Sequence, residues 1–228
     1  CDLRLTSGPL AVHSDMLVWS KDETPEGAAL PILNALYSTI QYSMVLAKIR
    51  PDHREVIRHW LDFSRRHRDA LVKGRFTPHH AESGYTWVEG ESETERVVTS
   101  YSGDVAVRTG EPDRTVVLVN ATGAGEILVD ADADATAALF DVFGAPAGTA
   151  KVAKGLSRLA VPKSGYARIA STKSDLMLSA GRATLRLSRA SGAILSLKGA
   201  DGVELLERAD ELFTLQLLDA KGNERRLR

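Results

Sequence analysis

The chain has 228 residues, 43% of them hydrophobic and 26% charged, a composition typical of a folded protein with one or two cores. Its net charge of −1 gives no broad attraction to nucleic acid or to an anionic membrane, so neither is an expected partner. The single cysteine, Cys1, excludes an internal disulfide framework and a cysteine-based zinc site.

Residues 1–75 alternate apolar runs with helical patterns. The run LAVHSDMLV (10–18) predicts a strand that leads into a polar loop, and Thr24 followed by Pro25 predicts the start of a helix. YSMVLAKI (42–49) predicts a second strand. The segment 51–74 predicts a long helix that ends at Gly74. The order strand, helix, strand, helix predicts βα units with parallel strands.

From residue 76 onward the sequence becomes β-rich. Short runs such as GYTWVEGES, RTVVLVNAT and GEILVDA are separated by Gly, Pro, Asp and Asn turns, which predicts an antiparallel β-sandwich over 76–172. Its expected core includes Val117, Leu118 and Phe140. The run ATLRLSRASGAILSL alternates apolar and polar residues more regularly than the runs before it. Residues 173–228 are therefore expected to begin a further β-rich domain. The predicted fold class is therefore α/β followed by all-β.

His13 and Asp15 are the candidate substrate-binding residues. They interrupt an otherwise apolar run, and burying an unpaired carboxylate there would be costly. Since side chains two residues apart on a strand point to the same face, the two are expected to act together. The alternative is a hydrogen-bonded structural pair that supports the following loop.

Three other motifs could be functional sites, and each also has a structural interpretation. Asp130, Asp132 and Asp134 imitate the start of a calcium loop, but Ala135 replaces the required glycine, so a polar turn is favoured. The triplet NAT at Asn120 fits a glycosylation acceptor. Tyr85 and Trp87 are candidates for stacking on a sugar or for the sandwich core. No metal or cofactor is expected.

Several runs in a fixed order resemble one enzyme family. The runs DLRL, VHSDML, EGAALPILNALYS, HREVIRHWLDF and HRDALVKGRFTP resemble the end of the catalytic barrel in melibiase-type alpha-galactosidases, clan D of the glycoside hydrolases. The resemblance continues through GYTWVEGE and VVTSYSGD to LAVPKSGYARI. It implies that residues 1–75 are the C-terminal portion of a (β/α)8 TIM barrel and that residues 76–172 are the sandwich after it.

The resemblance also implies an activity. Family members hydrolyse terminal alpha-galactosides with retention, through two aspartates whose carboxyl groups lie about 5–5.5 Å apart. The motifs that carry those aspartates are absent from this sequence, so we expect them upstream of Cys1 in a longer protein and assign no catalytic residue here. His13 and Asp15 would lie at the edge of the sugar pocket.

The expected partner is thus an alpha-galactoside or a related oligosaccharide, and a homo-oligomer is compatible with the sequence. Two alternatives stay open: a non-catalytic carbohydrate-binding or structural β-sandwich module, and an inactive relative of the enzymes. Pro31 within the first predicted helix and the β-rich segment after the sandwich depart from the family pattern.

Overall fold

The chain forms two compact units, Cys1–Thr172 and Lys173–Arg228. The computed structural model describes residues 1–8, 10, 12–109, 114–170, 176–180, 183–187, 194–199, 202–203, 216–218 and 224–226. The candidate site and the two hydrophobic cores found among the described residues lie in the first unit.

The helices seen among the described residues of the first unit lie before residue 84. They are α1 (Asp2–Ser7), α2 (Pro25–Asn34) and α3 (Pro51–Arg66), with a π-helical turn at Asp69–Lys73 and 3-10 turns at Leu46–Lys48 and Ala81–Ser83. The predicted start of α2 is confirmed, since the hydroxyl of Thr24 accepts a 3.1 Å hydrogen bond from the amide of Gly27. Pro31 lies inside α2 and does not end it.

Helix α3 is strongly amphipathic. Its buried residues recur at helical spacing, at Val56, Ile57, Trp60 and Phe63, while most of the charged residues between them are exposed. The α-helix ends at Arg66, and the π-helical turn Asp69–Lys73 follows it up to Gly74. The long helix predicted over 51–74 is therefore confirmed as α-helix up to Arg66 and differs only in its last turns.

The strands of the first unit mostly follow these helices. They are β1 (His13–Leu17), β2 (Thr39–Tyr42), β3 (Arg75–His79), β4 (Trp87–Glu91), β5 (Glu95–Ser100), β6 (Val107–Arg108), β7 (Thr115–Asn120), β8 (Glu126–Ala131), β9 (Ala135–Phe140), β10 (Pro146–Val152), β11 (Gly155–Ala160) and β12 (Tyr166–Ile169).

The predicted TIM barrel is wrong for the part of the chain that the structure describes. β1 and β2 pair in parallel, with His13 opposite Thr39, but they form a two-stranded sheet of their own. After Gly74 the chain enters β3, which pairs antiparallel with β4 in a different sheet. No ring of parallel strands therefore closes around a common axis.

The purely antiparallel sandwich is also wrong, because the main sheet is mixed. Its seven strands have the order β10-β9-β12-β7-β5-β4-β3, and β5 runs parallel to β7 while the other neighbours are antiparallel. A second sheet has the order β11-β8-β6, in which β6 and β8 are parallel. The fold class predicted for the first unit, α/β followed by an antiparallel all-β domain, is replaced by a mostly β unit with helices on one sheet.

The main sheet separates two cores. Val97 and Val117 lie on the face covered by α2 and α3, whereas their neighbours Val98 and Leu118 lie on the face covered by the second sheet. This alternation follows from the two-residue period of a strand. Val117 and Leu118 are buried as predicted, but in different cores, and Phe140 is only partly buried.

The second predicted strand near the amino end differs from the observed one. Before it, Asp2–Ser7 form the short helix α1. The second parallel strand is Thr39–Tyr42, whereas Val45 and Leu46, which were predicted to continue a strand, are exposed and lie at a 3-10 turn. The β-branched residues Thr39 and Ile40 favour the strand at the earlier position.

Most of the described residues of the second unit lie in strands. β13 (Leu176–Ala180), β14 (Ala183–Leu187) and β15 (Ile194–Lys198) form an antiparallel sheet, and β16 (Gln216–Leu218) pairs antiparallel with β17 (Glu224–Arg226).

Candidate functional site

A cavity of about 270 Å³ opens at the amino end of the β1–β2 sheet. It contains one of the two residues that the sequence predicted to bind substrate, His13, which is exposed. The other lining residues come from the amino end through α1, from the residue before β1, from the end of α2 and the turn after it, from β3 and β4, and from the residue after β5: Cys1, Asp2, Leu3, Arg4, Val12, Asn34, Ala35, Tyr37, Ser38, Phe76, Val88 and Tyr101. We call this cavity the His13 pocket.

The turn from α2 into β2 supplies one wall of the His13 pocket. Asn34 is the last residue of α2, and the hydroxyl of Ser38 donates a 2.7 Å hydrogen bond to the carbonyl of Ala35. Ser38 immediately precedes Thr39, the residue opposite His13. The register of the parallel pair therefore brings an imidazole, an amide and a hydroxyl to one opening.

Two tyrosines form the inner wall and hold the helices on the main sheet. The hydroxyl of Tyr37 lies 3.0 Å from the carbonyl oxygen of Val88 and 3.1 Å from that of Val97. The hydroxyl of Tyr101 donates to the carbonyl of Leu33 at 3.2 Å. Burial raises the pKa of each tyrosine hydroxyl well above the ordinary value for tyrosine. Both hydroxyls therefore stay protonated at neutral pH. They position the wall and are not candidate general bases.

Helix α1 closes the opposite side of the pocket. The guanidinium of Arg4 donates to the carbonyl of Val72 and lies over the ring of Phe76, 5.6 Å from its centroid. The carboxylate of Asp2 accepts a hydrogen bond from the hydroxyl of Tyr85. The two charged side chains thus attach α1 to the π-helical turn, to the loop before β4 and, through the ring of Phe76, to β3 of the main sheet.

The structure places the two predicted substrate-binding residues on β1. His13 begins the strand, at its amino end, and Asp15 lies two residues further along, in a stretch where the pairing with β2 is irregular. The side chain of Asp15 lies outside the described ones. The carboxyl end of β1 is the apolar residue Leu17, so His13 lies at the opposite end of the strand from the loop that follows it.

The motifs weighed as alternatives have structural roles. The side chain of Asn120 is fully buried, and its amide donates to the carbonyls of Ala124 and Val161 at 2.8 and 2.9 Å, so it is inaccessible for glycosylation. The carboxylate of Asp134 accepts a 2.7 Å hydrogen bond from the amide of Lys154, as a turn residue does. No metal-binding cluster occurs among the residues that the structure describes.

Trp87 cannot stack on a sugar in this fold. It is 3% exposed, and the imidazole of His79 lies parallel to its ring with the centroids 3.4 Å apart. His79 also lies 3.0 Å from a carboxylate oxygen of the buried Glu89, which forms an ion pair with Arg96. This cluster satisfies a buried carboxylate with two partners. The core interpretation of Trp87 is confirmed.

Sequence reasoning missed most of the residues that line the His13 pocket. Asn34, Tyr37 and Tyr101 lie in patterns that predict ordinary helix ends and strands, and no local motif marks them. Arg4 could have been noticed, because an arginine between leucines in DLRL must either reach solvent or find a buried acceptor.

Comparison with known proteins finds no matching family model, no matching curated protein and no matching solved structure. Among the described residues, no helix has both the length and the apolar character needed to cross a membrane.

Proposed function

We propose that this chain is part of a glycoside hydrolase similar to the alpha-galactosidases, and that the His13 pocket contacts the sugar. In this proposal the two catalytic aspartates lie upstream of this sequence, and none of its residues is assigned a catalytic role. His13 and Asp15 contact the substrate. The proposal depends on the ordered series of runs that resembles the family and on where the fold places His13.

The observation that carries the proposal is the combination of groups in the His13 pocket. His13 and Asn34 can donate and accept hydrogen bonds, while Phe76 and Tyr101 provide aromatic surface beside them. A small concave site with a few convergent polar groups on an apolar wall is typical of small-molecule recognition. With a volume of about 270 Å³, the pocket lies below the usual size for drug-sized ligands, which favours a single sugar ring.

Binding is tested on the full chain by ligand-observed NMR. We expect methyl alpha-galactoside to give a saturable signal, and methyl alpha-glucoside a weaker one. The variant His13→Ala should weaken binding of the galactoside by about fivefold or more, as expected for one lost hydrogen bond. The matched control is His80→Asn, which removes an exposed imidazole that does not line the pocket. Equal binding by both variants would contradict the assigned role of His13.

Catalysis is tested separately. This chain should not hydrolyse a chromogenic alpha-galactoside, whereas a longer parent protein that carries both aspartates should hydrolyse it. In that parent, Asp15→Asn should lower kcat/KM while leaving the melting temperature nearly unchanged. A variant that melts much earlier but turns over normally while folded would make Asp15 a structural residue. Sugar binding in a parent without any hydrolysis would instead favour a non-catalytic carbohydrate-binding module.

A further inference from the structure

We propose that Arg4 and Lys73 form a binding site for an oxyanion, a phosphate or carboxylate group of a small molecule. The site is a second cavity, of about 370 Å³, lined by Arg4, Leu5, Gly8, Lys73, Gly74 and Phe76. We call it the Arg4 cavity. Arg4 and Phe76 line both cavities, whereas Lys73 lines the Arg4 cavity and not the His13 pocket. The Lys73 variant therefore tests this proposal independently of the sugar contact.

The first argument is the unbalanced charge of Arg4. The residue is only 8% exposed, and within the described residues no carboxylate forms an ion pair with it. The nearest acidic residue in sequence, Asp2, is instead engaged by the hydroxyl of Tyr85. Arginine is almost never buried unless it is paired, since a buried charge without a counter-charge is costly.

The second argument is the number of donors that remain. A guanidinium has five N–H groups in a fixed planar fork, and Arg4 uses Nη2 for the carbonyl of Val72. Within the described part of the chain its other nitrogens have no hydrogen-bond partner, and Arg4 lines both cavities. A planar fork with unused donors beside an open space is suited to a carboxylate or a phosphate.

The third argument is the charge of the lining itself. The two ionisable residues that line the Arg4 cavity, Arg4 and Lys73, are both cationic. Lys73 forms a 2.8 Å ion pair with Asp69, but both side chains are mostly exposed, and such pairs contribute little free energy. The ammonium group of Lys73 can therefore turn toward a bound anion at small cost. Phe76 and Leu5 provide apolar surface for the rest of the molecule.

The test is a titration of the full chain with sodium phosphate and, separately, with sodium acetate, each against sodium chloride at equal ionic strength. We expect saturable changes of the amide NMR signals of Gly8 and Gly74 with at least one of the two anions. The tighter of the two identifies the group as phosphate or carboxylate. No saturable change at either glycine would overturn the proposal.

Variants distinguish this site from general attraction of anions to a basic surface. Arg4→Gln and Lys73→Gln should each weaken binding, the first by about tenfold or more, because a hydrogen bond to a charged group is lost. The matched control Arg65→Gln removes an exposed arginine of α3 and should bind as the wild type does. If Arg4→Gln does not fold, Lys73→Gln decides alone, and unchanged affinity in that variant would contradict the site.

Discussion

The indole N–H of Trp19 donates a hydrogen bond to Nδ1 of His53 over 3.1 Å. Because Nδ1 accepts, the neutral imidazole carries its proton on Nε2, which lies 3.0 Å from the carbonyl oxygen of Glu23 and donates to it. His53 is in the first turn of α3, and Glu23 directly precedes the N-cap of α2. One buried ring thus joins the loop after β1 to the starts of two helices.

Replacing Trp19 by phenylalanine should lower the free energy of unfolding by about 1 kcal/mol, because Nδ1 of His53 loses its donor while much of the aromatic contact remains. The measurement is urea unfolding followed by circular dichroism. Val18→Ala, which shortens an exposed neighbour, is the control and should change stability by less than about 0.5 kcal/mol. Equal stability of the Trp19 variant and the wild type would show that the hydrogen bond makes no net contribution.

Gly144→Ala should destabilise the chain more than Gly123→Ala. Both glycines have a positive φ, 76° and 77°, so both substitutions carry the same backbone strain of about 1 kcal/mol. A methyl group at Gly144 would lie 2.1 Å from Cε1 of His59, whereas nothing lies within 4 Å of one at Gly123. Both variants are measured by thermal unfolding. The difference between their free energies of unfolding therefore gives the cost of the clash with His59, about 1–3 kcal/mol. Equal losses would mean that the His59 ring moves aside freely.

Stability should fall as the pH decreases from about 6.5 to about 4, in part because of His59. Burial, and then the charge of Arg66, lower the pKa of this imidazole to about 4. Above the ordinary pKa of about 6.5 the ring is neutral in both the folded and unfolded states, so it adds no pH dependence. Between the two values only the unfolded chain binds the proton, and up to about 3 kcal/mol of stability is lost.

The measurement compares urea unfolding at pH 7.5 and at pH 4.5. Because carboxylates also titrate in this range, the informative quantity is the difference between the wild type and His59→Phe, which keeps a ring to stack on Tyr166 but cannot bind a proton. The loss on acidification should be smaller in His59→Phe than in the wild type. His80→Asn, at an exposed position, should retain the wild-type loss. Identical losses in all three would assign the acid sensitivity to other groups.

The local features of the fold could be predicted from the sequence, and the pairing of distant segments could not. Thr24 and Pro25 marked the start of α2 because capping depends on neighbouring residues only. The run that contains Val117 and Leu118 was recognisable as a strand because its β-branched and apolar residues, like a cap, are a local signal. Nothing local shows that β5 pairs in parallel with β7, since the period of a strand carries no information on its partner.

The candidate site was predictable to a similar extent. His13 stood out because a polar residue in an apolar run needs a partner or solvent. The groups that surround it come from α1, from the end of α2 and from strands at distant positions in the chain. Only the three-dimensional packing brings Asn34 and Tyr101 to His13, and the buried state of Arg4 depends on Phe76 and Val72, about seventy residues away.

The position of β12 has a consequence for the order in which the first unit can assemble during synthesis. β12 pairs with β7 on one side and with β9 on the other, and it is the only link in that sheet between the β9–β10 hairpin and the remaining strands that the structure describes. β12 is the last strand of this unit to be synthesised. Until residues Tyr166–Ile169 emerge, a nascent chain holds two unjoined pieces of sheet, each with an open edge that is prone to pair with another chain.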